Sequence, residues 1–156
     1  MNFRPTTTLA NVITRAAFEA EKNDNANQLI DRLLILALDE PQSHATRILQ
    51  QFKDENQIDH ICAQIESELY DAEPADRVER ASIRSHFFTK IHDQLASALI
   101  VGEPANTGHI LLLALTDPTT ISGEVLRRNL IGYQRVIEAM GTLTIDEDRH
   151  LDVSLR

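Results

Sequence analysis

Six histidines, a single cysteine and an excess of acids are the residues of this 156-residue chain whose types could do chemistry. His44, His60, His86, His92, His109 and His150 include no HExxH motif and no pair at i, i+4, the spacing that turns two imidazoles toward one zinc ion. His60 and Cys62 stand two apart, so on a helix they point to different sides. DEDRHLD (146–152) lacks the glycine and the spaced oxygens of a calcium loop. No GxxxxGK[ST] is present to cradle a nucleotide, and no GxSxG to raise a serine nucleophile. Glu19, Glu21, Glu66, Glu68 and Asp71 read as solvated helix faces rather than as acid–base pairs. Cys62, set in the apolar DHICAQI, reads as a buried thiol. With no second cysteine there is no internal disulfide, which fits a reducing cytosol. The expectation is a protein that is not an enzyme and takes no metal or other cofactor.

Charge narrows the partners. The chain carries 15 basic and 24 acidic side chains, a net −9, with −7 in residues 1–78 and −2 in residues 79–156. Phosphate backbones and anionic lipid repel such a surface, so neither nucleic acid nor a membrane is the expected partner. A helix-turn-helix nucleic-acid binder would need a basic face that the sequence does not have. A cationic partner should prefer the first half. MNFRPTTTLANV has no apolar stretch of the signal-peptide kind, and no apolar run nears the ~20 residues of a membrane helix. A cytoplasmic protein is expected.

The elements that must position these residues are helical. Aromatics make up only 4% of a chain that is 42% apolar and rich in Ala, Leu, Ile, Glu, Gln and Arg, a composition for helices around a proper core. Period-3.6 patterning predicts a first helix over about 7–22 with Leu9, Val12, Ile13, Ala16, Ala17 and Ala20 on one face. NDNAN (23–27) ends it, and a second helix over about 28–39 is apolar almost all round, hence buried and central. Pro41 opens a third over about 42–53, with Ala45, Ile48, Leu49 and Phe52 inward. A fourth spans about 55–70 on Ile58, Ile61, Cys62, Ile65 and Leu69. DAEPADRVER then reads as a linker, centred on 72–80.

The order then begins again. Helices are predicted over about 81–101, 108–116, 119–129 and 130–140, the last on Ile131, Val136, Ile137 and Met140. DRLLILALDEP (31–41) and GHILLLALTDP (108–118) say nearly the same thing 77 residues apart, and six of the 17 positions in 33–49 match 110–126, Pro41 and Pro118 among them. Two four-helix repeats, about 6–71 and about 81–141, form one domain over 1–141. Two repeats are too few for an open solenoid, so they should pack as a pseudo-twofold pair around the two apolar helices. The tail (142–156) alternates apolar and polar residues across an acidic turn. That is the signal of a short β-hairpin or extended segment, and ordered it would pack on the domain or pair with a second copy into a homodimer.

This doubled order of long helix, polar loop, leucine-rich helix, Pro and amphipathic helix resembles the Clp N-terminal domain, the double-repeat module at the front of Clp-type AAA+ unfoldases. Each repeat of that family carries a segment like GTEHLLLGLL. TGHILLLAL (107–115) is close to it, and IDRLLILAL (30–38) is a weaker match. The resemblance covers about residues 6–141. It implies a module that binds a protein or peptide client, or a Clp ATPase or protease subunit, and hands clients to the unfoldase. In some members the motif Glu of each repeat, with a Thr at the start of its first helix, holds a phosphorylated arginine. Those glutamates fall here on Asp31 and Gly108, and the threonines near Thr6 and near Ser85.

Asp31 keeps the charge one methylene short, and Gly108 has no side chain to hold a cation, so at best one of the two sites should remain. The plainer role for Asp31 is an acid at a helix N-terminus. His109 matches the family's His and should orient the loop. The binding surface is expected around Thr6, Asn25, Asn27 and Asp31, with Gly108 and His109 as its counterpart in the second repeat. The alternative is a structural or oligomerisation protein of the same fold that has lost client binding.

Overall fold

A computed structural model describes residues 5–22, 29–71, 93, 105–117 and 120–142. The chain is all-α, and among the described residues it forms seven helices. They are α1 (Thr7–Lys22), α2 (Leu29–Leu38), α3 (His44–Gln50), α4 (Glu55–Asp71), α5 (Gly108–Thr116), α6 (Ile121–Arg128) and α7 (Tyr133–Thr142). The linker, most of the helix expected over about 81–101, and the tail beyond Thr142 lie outside the described residues. So do Asn25, Asn27 and Ser85.

Local side chains start most of these helices by accepting from backbone N–H groups that have no partner within the first turn. Thr6 Oγ1 accepts from Leu9 N at 3.2 Å to open α1. Asp54 and Gln57 close a reciprocal pair at the start of α4, Asp54 Oδ1 accepting from Gln57 N (2.8 Å) and Gln57 Oε1 from Asp54 N (2.9 Å). Ser43 and Thr120 do the same for α3 and α6. The third helix is therefore shorter than its periodicity suggests: Pro41 lies in the turn before the Ser43 cap, not in the first helical turn.

α2 and α5 pack on each other at the centre of one apolar core that joins both repeats. Contacts around them come in exchanged pairs: α2 with α4 and α5 with α7, α3 with α5 and α6 with α2, α4 with α6 and α7 with α3. Swapping the repeats maps each of these contacts onto its partner, which is the signature of a pseudo-twofold axis. Single hydrogen bonds obey the same offset of 77 residues. Ser43 Oγ donates to Ala37 O at 2.7 Å, and Thr120 Oγ1 donates to Ala114 O at 2.7 Å. Each hydroxyl ties the end of a central helix to the start of the next.

The junction between α6 and α7 is longer than the expected ranges of about 119–129 and 130–140 allow. Ile131 N donates to Leu126 O and Leu130 N to Arg127 O, both at 3.0 Å, the paired bonds that end a helix on a left-handed residue. That residue is Leu130, with φ of 64°, where glycine is usual. Ile131 therefore precedes α7 instead of lying inside it, and is buried against the core. Leu130 is 74% exposed and contributes little packing to offset its strained backbone. Leu130→Gly should stabilise the protein by about 1 kcal/mol. Thermal melting would show this as a rise of a few degrees, and an unchanged or lower midpoint would mean that the side chain is held by contacts.

Candidate functional site

Of the residues expected to face a ligand, the four that the structure describes, Thr6, Asp31, Gly108 and His109, are all buried. Asp31, on the first turn of α2, is 2% exposed and turned toward the start of α6. Its Oδ1 accepts from Ser122 N (2.7 Å) and from Ser122 Oγ, and its Oδ2 from Ile121 N (3.3 Å). Thr120 Oγ1 accepts from the next free amide, Gly123 N, at 3.3 Å. The first three amides of α6 are thus capped by one local hydroxyl and one carboxylate from the other repeat. A negative charge there also meets the positive end of that helix. Asp31 is an acid in the first turn of its own helix as expected, but the helix whose amides it caps is α6.

Gly108 is buried too, and a Cβ there would stand 2.8 Å from Ile48 Cδ1 and from Asn106 Oδ1. The capping role passes one residue back. Thr107 Oγ1 accepts from Ala45 N at 2.9 Å, which is the symmetry counterpart of the bond from Ser122 N to Asp31. Asn106 Oδ1 caps α5 by accepting from Gly108 N (2.8 Å), and Asn106 N donates to His109 Nδ1 (3.0 Å). His109 is fully buried and so orients the loop from within. Thr6 is also buried, its N–H donating to Ala105 O at 2.7 Å. In the NTGH loop every residue has a packing or capping task, and neither Asp31 nor Gly108 faces outward.

Among the described residues an open concave surface lies elsewhere, on the outer side of α2 between α1 and α4. A cleft of about 410 Å³ is floored by Ile35, Leu36, Leu38 and Cys62 and rimmed by Glu19, Asp39, Asp59 and Glu66. A second hollow of about 300 Å³ shares Glu19, Ile35 and Glu66 with it and runs on over Arg32, Leu69 and Tyr70. Together they form one groove. Asp59, Cys62 and Glu66 fall on one face of α4 by their spacing, which points both acids at the apolar floor. Tyr70 is 90% exposed, an aromatic ring without packing at the groove's end. Arg32 Nε is buried without a hydrogen-bond partner. On α5 the matching positions, His109 and Leu112, are buried, so this open face belongs to the first repeat.

The groove's electrostatics register on its one thiol. Burial, then the carboxylates of Glu66, Asp59 and Asp39, push Cys62 up to about 11. The thiolate is the reactive form, so Cys62 in the folded protein should react with iodoacetamide at pH 8 roughly 100-fold more slowly than in urea. Equal rates would refute the burial and field described. The thiol keeps its proton in the folded state to a higher pH than in the unfolded one. Its contribution to stability is therefore full below the ordinary thiol range and lost as pH rises toward about 11. Cys62→Ala should flatten stability over that window.

Among the described residues no group of three or more His, Cys, Asp or Glu could hold a metal ion, and no helix is long and apolar enough to cross a membrane. No family model matches the chain, and no curated protein or solved structure matches it. Charge asymmetry was the trace of the groove in the sequence: α4 carries five acids and no lysine or arginine, while acids and bases balance on α1 and on α2. That α2 keeps one face open was hidden, because its leucine-rich pattern reads as buried all round.

Proposed function

We propose that the chain is a non-catalytic protein-binding module that presents clients or adaptors to a Clp-type AAA+ unfoldase or protease. The groove between α1, α2 and α4 is the observation that carries this reading: an apolar floor, a charged rim, and an unpacked aromatic at one end, which is the make-up of a peptide site. The duplicated helical order and the GHILLLAL segment support the link to Clp unfoldases. A phosphoarginine pocket on Asp31 and Gly108 is not part of the proposal, since both residues are buried in the repeat interface.

Immobilised full-length chain should retain a Clp ATPase or protease subunit from its own cell's lysate, and Asp59→Lys with Glu66→Lys should reduce the retention. Both acids are exposed, so the pair should leave the fold intact. Retention of neither subunit would remove the Clp assignment. The burial of Asp31 and Gly108 favours a second reading, a structural or oligomerisation protein of this fold without client binding. Sizing the full chain against one ending at Thr142 tests it, since identical monomeric profiles would exclude oligomerisation through the tail.

A further inference from the structure

The charge and shape of the α1/α2/α4 groove specify its occupant. We propose that it takes a segment of another protein in which lysine or arginine side chains flank apolar ones, an inference that rests on reading the chain as a protein-binding module. Ile35, Cys62 and Leu69 offer half-buried apolar surface for aliphatic or aromatic side chains. Asp59 and Glu66 stand exposed above that surface on one face of α4 and have no ion pair with any described residue, so cations on the occupant would be their first partners. Arg32 lowers the groove's negative charge at one end only.

Neither the linker nor the tail of the chain supplies such a segment. Residues 71–80 and 143–156 each carry more acids than bases. The arginines of the α6–α7 region are already engaged: Arg128 Nη2 donates to both oxygens of Glu68 at 2.8 Å, Arg127 to Leu115 O, and Arg135 to Leu130 O while stacking over Phe52. Charge complementarity therefore points away from the chain's own linker and tail and toward a basic, apolar segment of another molecule.

The test uses the full chain and three fluorescein-labelled synthetic peptides: one alternating Lys or Arg with Leu or Phe, one with Glu in place of every base, and one with Ser in place of every apolar residue. Anisotropy titrations should show saturable binding of the first alone, weakening as salt is raised. Asp59→Lys with Glu66→Lys should weaken it about tenfold or more. An equal reversal away from the groove, Glu124→Lys with Glu138→Lys, should leave it within about twofold, which separates the groove from the net charge of the whole chain. Bound peptide should also slow alkylation of Cys62. Absence of saturable binding, equal binding of the Glu peptide, equal loss in both double variants, or unprotected Cys62 would each overturn the proposal. Peptide binding without retention of a Clp subunit would leave the groove standing and remove the Clp assignment. Retention without peptide binding would do the reverse.

Discussion

Asp31→Ala should lower the melting midpoint by roughly 10 °C, a loss of about 4 kcal/mol. The carboxylate accepts from two backbone amides and one hydroxyl at the start of α6 while 2% exposed. Removing it strands two buried donors of Ser122 and a part-buried one of Ile121, and each stranded buried donor costs about 1–3 kcal/mol. A methyl group also leaves a void against Ser122. Asp31→Asn keeps one accepting oxygen and gives up the charge that faces the helix end, so about half of the loss should remain. Circular dichroism melts of the two variants check this, and a native midpoint for Asp31→Ala would show that the joint does not depend on the acid. A consequence follows for binding experiments. An alanine at 31 would lose binding by loosening the repeat interface, so the groove acids Asp59 and Glu66 are the informative positions.

Gly123→Ala should cost about 3 kcal/mol or prevent folding. A Cβ at this position would stand 2.0 Å from Ala114 O, 2.6 Å from Thr120 Oγ1 and 3.0 Å from Ala114 C. Two of those atoms are backbone at the end of the central helix α5, so neither can rotate away. The helix start would have to move back, which breaks the bonds of Thr120 to Ala114 O and Gly123 N as well. Gly141→Ala provides the contrast. Nothing lies within 4 Å of a Cβ there, and the residue is exposed on the last turn of α7. The same change should stabilise the protein by about 0.5–1 kcal/mol, because alanine has less backbone freedom to lose. Opposite signs in urea titrations support the packing described, and a mild Gly123→Ala would count against the close approach of α6 to α5.

Much of the helix layout was legible from spacing alone. α1 spans the residues its apolar face predicts, and α2, α4 and α5 fall within a residue or two of their expected limits. The repeat offset read from Pro41, Pro118 and the leucines returns in the matched bonds of Ser43 and Thr120. Where the reading slipped, a backbone detail overrode periodicity. α3 waits for its Ser43 cap, and α7 waits until the left-handed turn at Leu130 is complete. The Asp54–Gln57 pair was a readable start signal for α4, since both partners lie within four residues of each other.

The candidate site divides along the same line. His109 was expected to orient its loop, and it accepts from Asn106 within that loop. Asp31 and Gly108 were placed by analogy at a ligand surface, and both are interior. The sequence by itself determined the all-helical class, the duplication and the acidity of the first half, because helical periodicity, turn chemistry and charge act over a few residues. Only the tertiary structure decided that Asp31 caps a helix some 90 residues away, that Thr107 stands in for it in the second repeat, and that α2 is left open toward α1 and α4. Those outcomes depend on which helix ends meet across the pseudo-twofold axis. No local pattern encodes that meeting, since the same acid at the same spacing serves equally well as a cap, an ion-pair partner or a ligand until the fold brings a neighbour to it.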